Sequence, residues 1–238
     1  MPRNSRAAHP GIDLVIFDCD GVLVDSEVIA CRAVVDTLAA FGHVIAAASI
    51  AERFTGVSNR DMYAALAAAI GGALPDDFDA AMKRRALELF ERELNAIAGL
   101  ETVLPRLAMG KCVASSSLPD DLLWKLRRTD LLRWFSPAAL FSTALVARGK
   151  PAPDIFLYAA AKMGASPRRS IAIEDSAPGI AAAKAAGMTA LGFAGGSHCR
   201  PGHDARLLAA GADLVFSDMR ELSGLIAARD QRFSETRP

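Results

Sequence analysis

Two carboxylates spaced i, i+2, Asp18 and Asp20, close a short apolar run from Ile12 to Phe17 that only Asp13 interrupts. Gly21 follows, then a second apolar-to-acidic step, Val22-Leu23-Val24-Asp25-Ser26-Glu27. An apolar run bounded in this way reads as a buried strand of a parallel sheet. Carboxylates at the carboxyl end of such a strand lie where open α/β sheets bind ligands. Asp18 suits nucleophilic attack on phosphorus, because a phosphoryl group carried on a carboxylate divides one hard hydrolysis into two easier steps. Asp20 suits general acid–base work, first protonating a leaving alcohol and then activating water. The acid role requires Asp20 to be protonated, hence a raised pKa in a partly enclosed site.

Two further predicted strands end in reactive groups: Lys111–Ser115 in Ser115, and Ser170–Ile173 in Glu174-Asp175. Lys150, within Gly149-Lys150-Pro151, precedes a helix that starts from the same sheet edge. In a parallel sheet all carboxyl ends share one edge, so these groups can converge. Converging carboxylates repel, and some must stay protonated unless a cation joins them. A hard divalent ion with oxygen ligands resolves the conflict, and Mg²⁺ is the usual choice beside a phosphate. Lys150 and the Ser115 hydroxyl add positive charge and a donor for an anion. Ser116 and Ser117 follow where the chain turns into a helix, and backbone N–H groups at a helix start bind anions.

The elements that must position these groups follow from periodicity. Helical patterns cover Val28–Phe41, a stretch from Ser58 to Ile70 and a long one from Asp76 to about Ile97. So much consecutive helix between two parallel strands far exceeds the dozen or so residues a crossover needs. An all-helical insertion at 27–98 is therefore expected, with an α/β core at 10–26 and 99–228. Beyond it strands and helices alternate: helices at Asp120–Thr129, after Pro153, at Ala177–Ala186 and at Asp204–Ala210, and strands at Ala139–Ser142, Met188–Phe193 and Leu214–Phe216. A last helix is expected at Met219–Ala227. The fold class is α/β, a Rossmann-like doubly wound parallel sheet. Residues 1–9 and 229–238 read as loose tails.

Composition excludes several classes. Lysine plus arginine equals aspartate plus glutamate, 27 each, so no global field points to nucleic acid or an anionic membrane. Four cysteines without a C-x-x-C pair suit a reducing cytoplasm rather than a disulfide framework or a zinc site. No run of about 18 apolar residues predicts a membrane span. A monomer or homodimer acting on a small molecule is expected.

Asp18–Glu27, Ser115, Gly149-Lys150-Pro151-Ala152-Pro153-Asp154 and Ile173-Glu174-Asp175-Ser176 resemble, in order, the four signature motifs of the haloacid dehalogenase-like hydrolases. The resemblance covers about residues 12 to 227. It implies a Rossmann-like core with a helical cap inserted after the first motif. It also implies Mg²⁺ held by Asp18, the Asp20 carbonyl oxygen and Asp175, with Glu174 helping directly or through water. Within the family, true dehalogenases and phosphonate-cleaving relatives lack the second aspartate, which is present here as Asp20. The β-phosphoglucomutase-like branch keeps it but usually carries a histidine in the first cap helix, where Ala30 stands. The resemblance therefore favours an Mg²⁺-dependent phosphatase of a small phosphorylated metabolite, of the sugar-phosphate type that includes 6-phosphogluconate phosphatases. A hexose-phosphate mutase is the alternative.

The stretch Thr55-Gly56-Val57-Ser58-Asn59-Arg60 corresponds to the cap loop that dips toward the core in relatives. Gly56, Asn59 and Arg60 are substrate-contact candidates; equally, Ser58 caps a helix and its neighbours are solvated. His198 and Cys199, after Gly195-Gly196-Ser197, leave another strand's carboxyl end and are expected to form a plain loop.

Overall fold

The computed structural model describes residues 11–46 and 59–235, and side chains within 11–46 and 62–230. In chain order the described elements are β1 (Leu14–Phe17), α1 (Glu27–Ala40), α2 (Asn59–Ile70), α3 (Phe78–Glu93), α4 (Leu100–Val103), β2 (Gly110–Ser115), α5 (Pro119–Arg128), β3 (Leu140–Ser142), α6 (Asp154–Lys162), β4 (Ser170–Glu174), α7 (Ala177–Ala185), β5 (Thr189–Phe193), α8 (His203–Ala209), β6 (Leu214–Phe216) and α9 (Leu222–Glu235). The six strands form one sheet in the order β3-β2-β1-β4-β5-β6, with every neighbouring pair parallel. Strand order reverses beside β1, which makes the carboxyl ends of β1 and β4 the topological switch point.

β1 is buried along its whole length. Leu14 and Ile16 face one apolar cluster, and Val15 and Phe17 face the other. Helices cover both faces, so the strand needs apolar side chains at every position rather than at alternate ones. Leu122 and Leu126 of α5, with Leu222 and Ile226 of α9, complete one layer. Ile155 and Phe156 of α6, Ile180 and Ala183 of α7, and Leu207 of α8 complete the other.

The helices between β1 and β2 bury a third cluster among themselves, made of Val34, Leu38, Met62, Leu66, Phe78 and Met82. Phe78 is its centre, stacked edge-on to Tyr63 at 5.9 Å and tilted against Phe41 at 6.2 Å. The N-terminal half of α1 and the C-terminal half of α3 contribute instead to the first sheet layer, through Ile29, Ala33 and Leu89.

Two boundaries differ from the sequence expectation. α3 stops at Glu93 rather than near Ile97, because the chain there pairs with the segment leaving β1. The Asp25 N–H donates to the Asn95 carbonyl, and the Ile97 N–H to that of Leu23. Those backbone groups are thereby satisfied without further helix. The final helix, expected to end at Ala227 before a loose tail, continues to Glu235. Asp230 within it accepts the Ile12 N–H at 2.5 Å, a contact that ties the helix to the start of β1. Residues 1–9 lie outside the described part of the chain.

Phe78→Ala is expected to destabilise the protein by about 3–5 kcal/mol, as large-to-small changes of buried aromatics do. Urea denaturation followed by circular dichroism measures the loss.

Candidate active site

β1 delivers Asp18 to the sheet edge with its N–H still bonded to the Ile173 carbonyl at 3.0 Å, so the nucleophile candidate is fixed by the last ladder bond. The chain then turns tightly: Leu23 and Val24 donate their N–H groups back to the Cys19 carbonyl. Gly21 sits in this turn with φ +75°, and a Cβ there would fall 1.8 Å from Asp175 Oδ2. Glycine is therefore required both by the backbone angle and by the approach of the second acidic strand end.

Lys150 is the electrostatic centre. Its Nζ donates to Asp18 Oδ1 at 2.8 Å and to the Ala114 carbonyl at 2.9 Å, and it lies 2.6 Å from Glu174 Oε1. Ser176 holds Glu174 from the other side, donating to Oε2 at 3.0 Å while its oxygen accepts the Gly179 N–H to cap α7. A Cβ on Gly179 would lie 1.9 Å from Glu174, so this helix start too depends on glycine.

Asp18, Glu174 and Asp175 are all buried and bring carboxylate oxygens within 4.8 Å of one another. One ammonium cannot neutralise three carboxylates. Burial pushes Asp18 up although Lys150 pulls it down, and burial with repulsion from Asp18 drives Asp175 well up. Glu174 is pushed up to about 8 by burial against the pull of Lys150. The excess negative charge and the all-oxygen donor set fit a hard divalent cation of the Mg²⁺ kind.

Asp20 lies in a separate pocket of donors. Lys125 Nζ and the Ser26 hydroxyl donate to its Oδ1 at 2.6 and 2.5 Å, and the Ser117 hydroxyl to Oδ2 at 2.7 Å. Burial raises its pKa, but the Lys125 charge and these three donors outweigh it, and the pKa is lowered. This corrects the expectation of a raised Asp20 pKa: the carboxylate here is held ionised.

Ser115 is buried and its Oγ accepts the Ser117 N–H at 3.0 Å, so that N–H is already engaged. Ser117 instead bridges Lys125 and Asp20 through its side chain. Ser116 is exposed at the sheet edge. Gly56 lies outside the described residues, and Asn59 and Arg60 contribute only their place at the start of α2.

Four participants were not anticipated. Lys125 stands on the inner face of α5 between Leu122 and Leu126; a lysine at i+3 within an apolar stripe was the available signal. Ser26 is the N-cap residue of α1 yet makes no capping bond, because its hydroxyl serves Asp20. Glu27 opens α1 with a carboxyl pushed up to about 8 by burial and by the charges of Asp175 and Asp20. His203, on α8, donates from Nε2 to the Asp175 carbonyl at 2.7 Å. The plain-loop expectation for 198 and 199 is also overturned: His198 is buried with Nε2 3.0 Å from Asp175 Oδ2.

The chain matches the haloacid dehalogenase-like hydrolase family over residues 12–187. It belongs to that family. It is 31% identical over 191 residues to the 6-phosphogluconate phosphatase of Escherichia coli, a match spanning 80% of this chain and 86% of that protein. Over 225 residues it is 29% identical to the β-phosphoglucomutase of Bacillus subtilis, spanning 88% and 91% of the two. The structure superposes on that of a haloacid dehalogenase-like hydrolase from Deinococcus radiodurans, solved with bound phosphate and sodium. The TM-score is 0.79 at 33% identity, covering 93% of this chain and 97% of the other.

Lys125→Met is expected to raise the Asp20 pKa, since it removes the largest influence opposing burial. The acid limb of the pH–rate profile then moves to higher pH, and turnover at neutral pH falls by about 10²-fold. A profile superimposable on that of the unmodified protein would exclude a catalytic Lys125–Asp20 pair.

Proposed function

We propose that this enzyme, a phosphoric monoester hydrolase of the haloacid dehalogenase-like family, removes phosphate from a small sugar phosphate through a phosphoryl group carried transiently on Asp18. The observation that supports this most is Lys150 joining Asp18 to Glu174 beside Asp175. That arrangement offers a nucleophile, a cation for the phosphate and a set of oxygen donors at one sheet edge. The phosphatases among the relatives, and the phosphate bound in the Deinococcus structure, point the same way.

Asp18 attacks phosphorus from the end of β1, where the ladder bond to Ile173 limits its freedom. Lys150 and the Ser115 hydroxyl face the transferring group and offset its charge. Asp18, the Asp20 carbonyl and Asp175, with Glu174 beside them, are the groups to hold Mg²⁺; when bound it supplies Lewis-acid stabilisation of phosphoryl oxygens. Asp20 is already in the basic form needed to take a proton from the attacking water in the second half-reaction. To protonate the leaving alcohol in the first half it must gain a proton. Ser26, at the junction with the helical insertion, is one of the donors whose departure would favour that, alongside Lys125, whose hold is stronger.

Residues 27–98 are proposed as a cap over this edge, which recognises the part of the substrate beyond the phosphate. Gly56, Asn59 and Arg60 of the cap, with Ser116 of the core, are the proposed substrate contacts. Opening and closing would exclude water during transfer.

Asp18→Asn is expected to reduce phosphate release below detection, and EDTA to abolish activity that Mg²⁺ restores. A panel of phosphorylated sugars and polyols assayed for free phosphate tests both and ranks substrates. Full activity in Asp18→Asn would overturn the nucleophile. Phosphoryl transfer to a second hydroxyl, dependent on a sugar bisphosphate and without phosphate release, would instead establish a mutase.

A further inference from the structure

Beside Asp175, side chains of a different chemistry converge. His198, Cys199 and His203 each place a ligand atom within 4.8 Å of the others. Cys199 Sγ lies 3.5 Å from His198 Nε2, and that same nitrogen lies 3.0 Å from Asp175 Oδ2. With Zn–S about 2.3 Å and Zn–N or Zn–O about 2.0 Å, the edges of a tetrahedral zinc site are about 3.3–3.6 Å. The Cys199–His198 spacing is therefore already that of a coordinated pair, and His203 offers a donor within 4.8 Å of both. Two imidazoles and a thiol are the donors that select a borderline-soft divalent ion over Mg²⁺.

His198 is 5% exposed, and its Nδ1, the ring nitrogen opposite the one beside Cys199, has no hydrogen-bond partner among the described residues. Access exists as well: a cavity of about 590 Å³ is lined by Cys199, His203, Arg200, Pro201, Asp204 and Phe216, and so reaches the cluster from solvent.

We propose that His198, Cys199 and His203 form a binding site for Zn²⁺ or a similar thiophilic divalent cation, beside the carboxylate site for Mg²⁺. On binding, the Cys199 thiol loses its proton to solvent, the proton of His198 Nε2 moves to Nδ1, and metal–sulfur and metal–nitrogen bonds form. His203 Nε2 keeps its bond to the Asp175 carbonyl. Its Nδ1, now accepting from the exposed Arg206 at 3.2 Å, exchanges that N–H for the metal while Arg206 turns to water. Burial pushes the Cys199 thiol up to about 12, so the metal replaces a proton rather than binding a preformed thiolate. Because His198 Nε2 also lies 3.0 Å from Asp175 Oδ2, its transfer to Zn²⁺ removes a partner from a proposed Mg²⁺ ligand and inhibits. That consequence rests on the proposed phosphatase reading; the binding does not.

The test is titration of the EDTA-treated, dialysed protein with Co²⁺ and then Zn²⁺. Expected are one Co²⁺ per chain with a near-ultraviolet thiolate-to-cobalt band, its loss on addition of Zn²⁺, and its absence in Cys199→Ser. Affinity in that variant should fall by at least about tenfold. Asp18→Asn, which alters only the carboxylate site, should retain the band. No thiolate band in the unmodified protein, a titration unchanged in Cys199→Ser, or loss of the band in Asp18→Asn would each overturn the site. Stoichiometric Zn²⁺ should suppress Mg²⁺-supported phosphate release in the unmodified chain and not in Cys199→Ser; equal suppression in both would overturn the coupling. Absence of phosphate release from every substrate would remove the phosphatase reading and leave the spectroscopic result to decide the site.

Discussion

A buried imbalance of charge governs this structure: three carboxylates at two adjacent strand ends face one ammonium. Asp18 and Lys150 are 2.8 Å apart, and Lys150 and Glu174 2.6 Å, in surroundings where neither sign is well solvated. Removing one partner of such a group leaves an uncompensated buried charge and is strongly destabilising. The remaining negative charge is what makes the edge receptive to a cation, and a phosphate can be tolerated there only once that cation and Lys150 face it. Cation binding, the environment of the proposed nucleophile and folding therefore draw on the same few ångströms.

The backbone had to be built to permit that crowding. Gly21 and Gly179 both mark places where a single methyl group would strike a carboxylate, 1.8 Å from Asp175 in one case and 1.9 Å from Glu174 in the other. Parallel pairing then sets the depth of each group: Phe17 is in register with Ile173 and with Val113. Asp18 and Glu174 thus leave the sheet at the same level, and Ser115 ends its own strand just beyond.

Much of this was legible in the sequence, for a physical reason. β1 must be apolar on both faces, and acidic residues at its end can only be tolerated at the sheet edge, so the alternation of buried strand and reactive terminus is written locally. The same holds for Lys150 and for Glu174-Asp175. What was not legible depends on distance in space. Lys125 reaches Asp20 from a residue 105 positions away, and nothing in its neighbours other than an interrupted apolar stripe announces it. His198 and His203 likewise touch Asp175 through a loop whose composition of glycine and serine looks like ordinary connection. The end of α3 was misjudged because cross-chain pairing at Asn95 and Ile97, not helix propensity, decides it. The lowered pKa of Asp20 could not be foreseen either, since it follows from donors contributed by three separate segments.

Ser26 shows how the catalytic edge and the helical insertion are joined. A serine in the N-cap position ordinarily accepts an N–H of the first helical turn, a bond worth about 1 kcal/mol. Here the hydroxyl turns away from α1 and donates to Asp20 at 2.5 Å, while the carboxyl of Glu27, the next residue, has its pKa held up by burial and by the charges of Asp175 and Asp20. The start of α1 thus forgoes its own cap to complete the environment of a core carboxylate. Any displacement of α1 relative to the sheet must change the number of donors on Asp20 and with it the proton affinity of that group. In the proposed reaction, the protonation state of Asp20 is thereby linked to the position of α1 through the Ser26 hydroxyl.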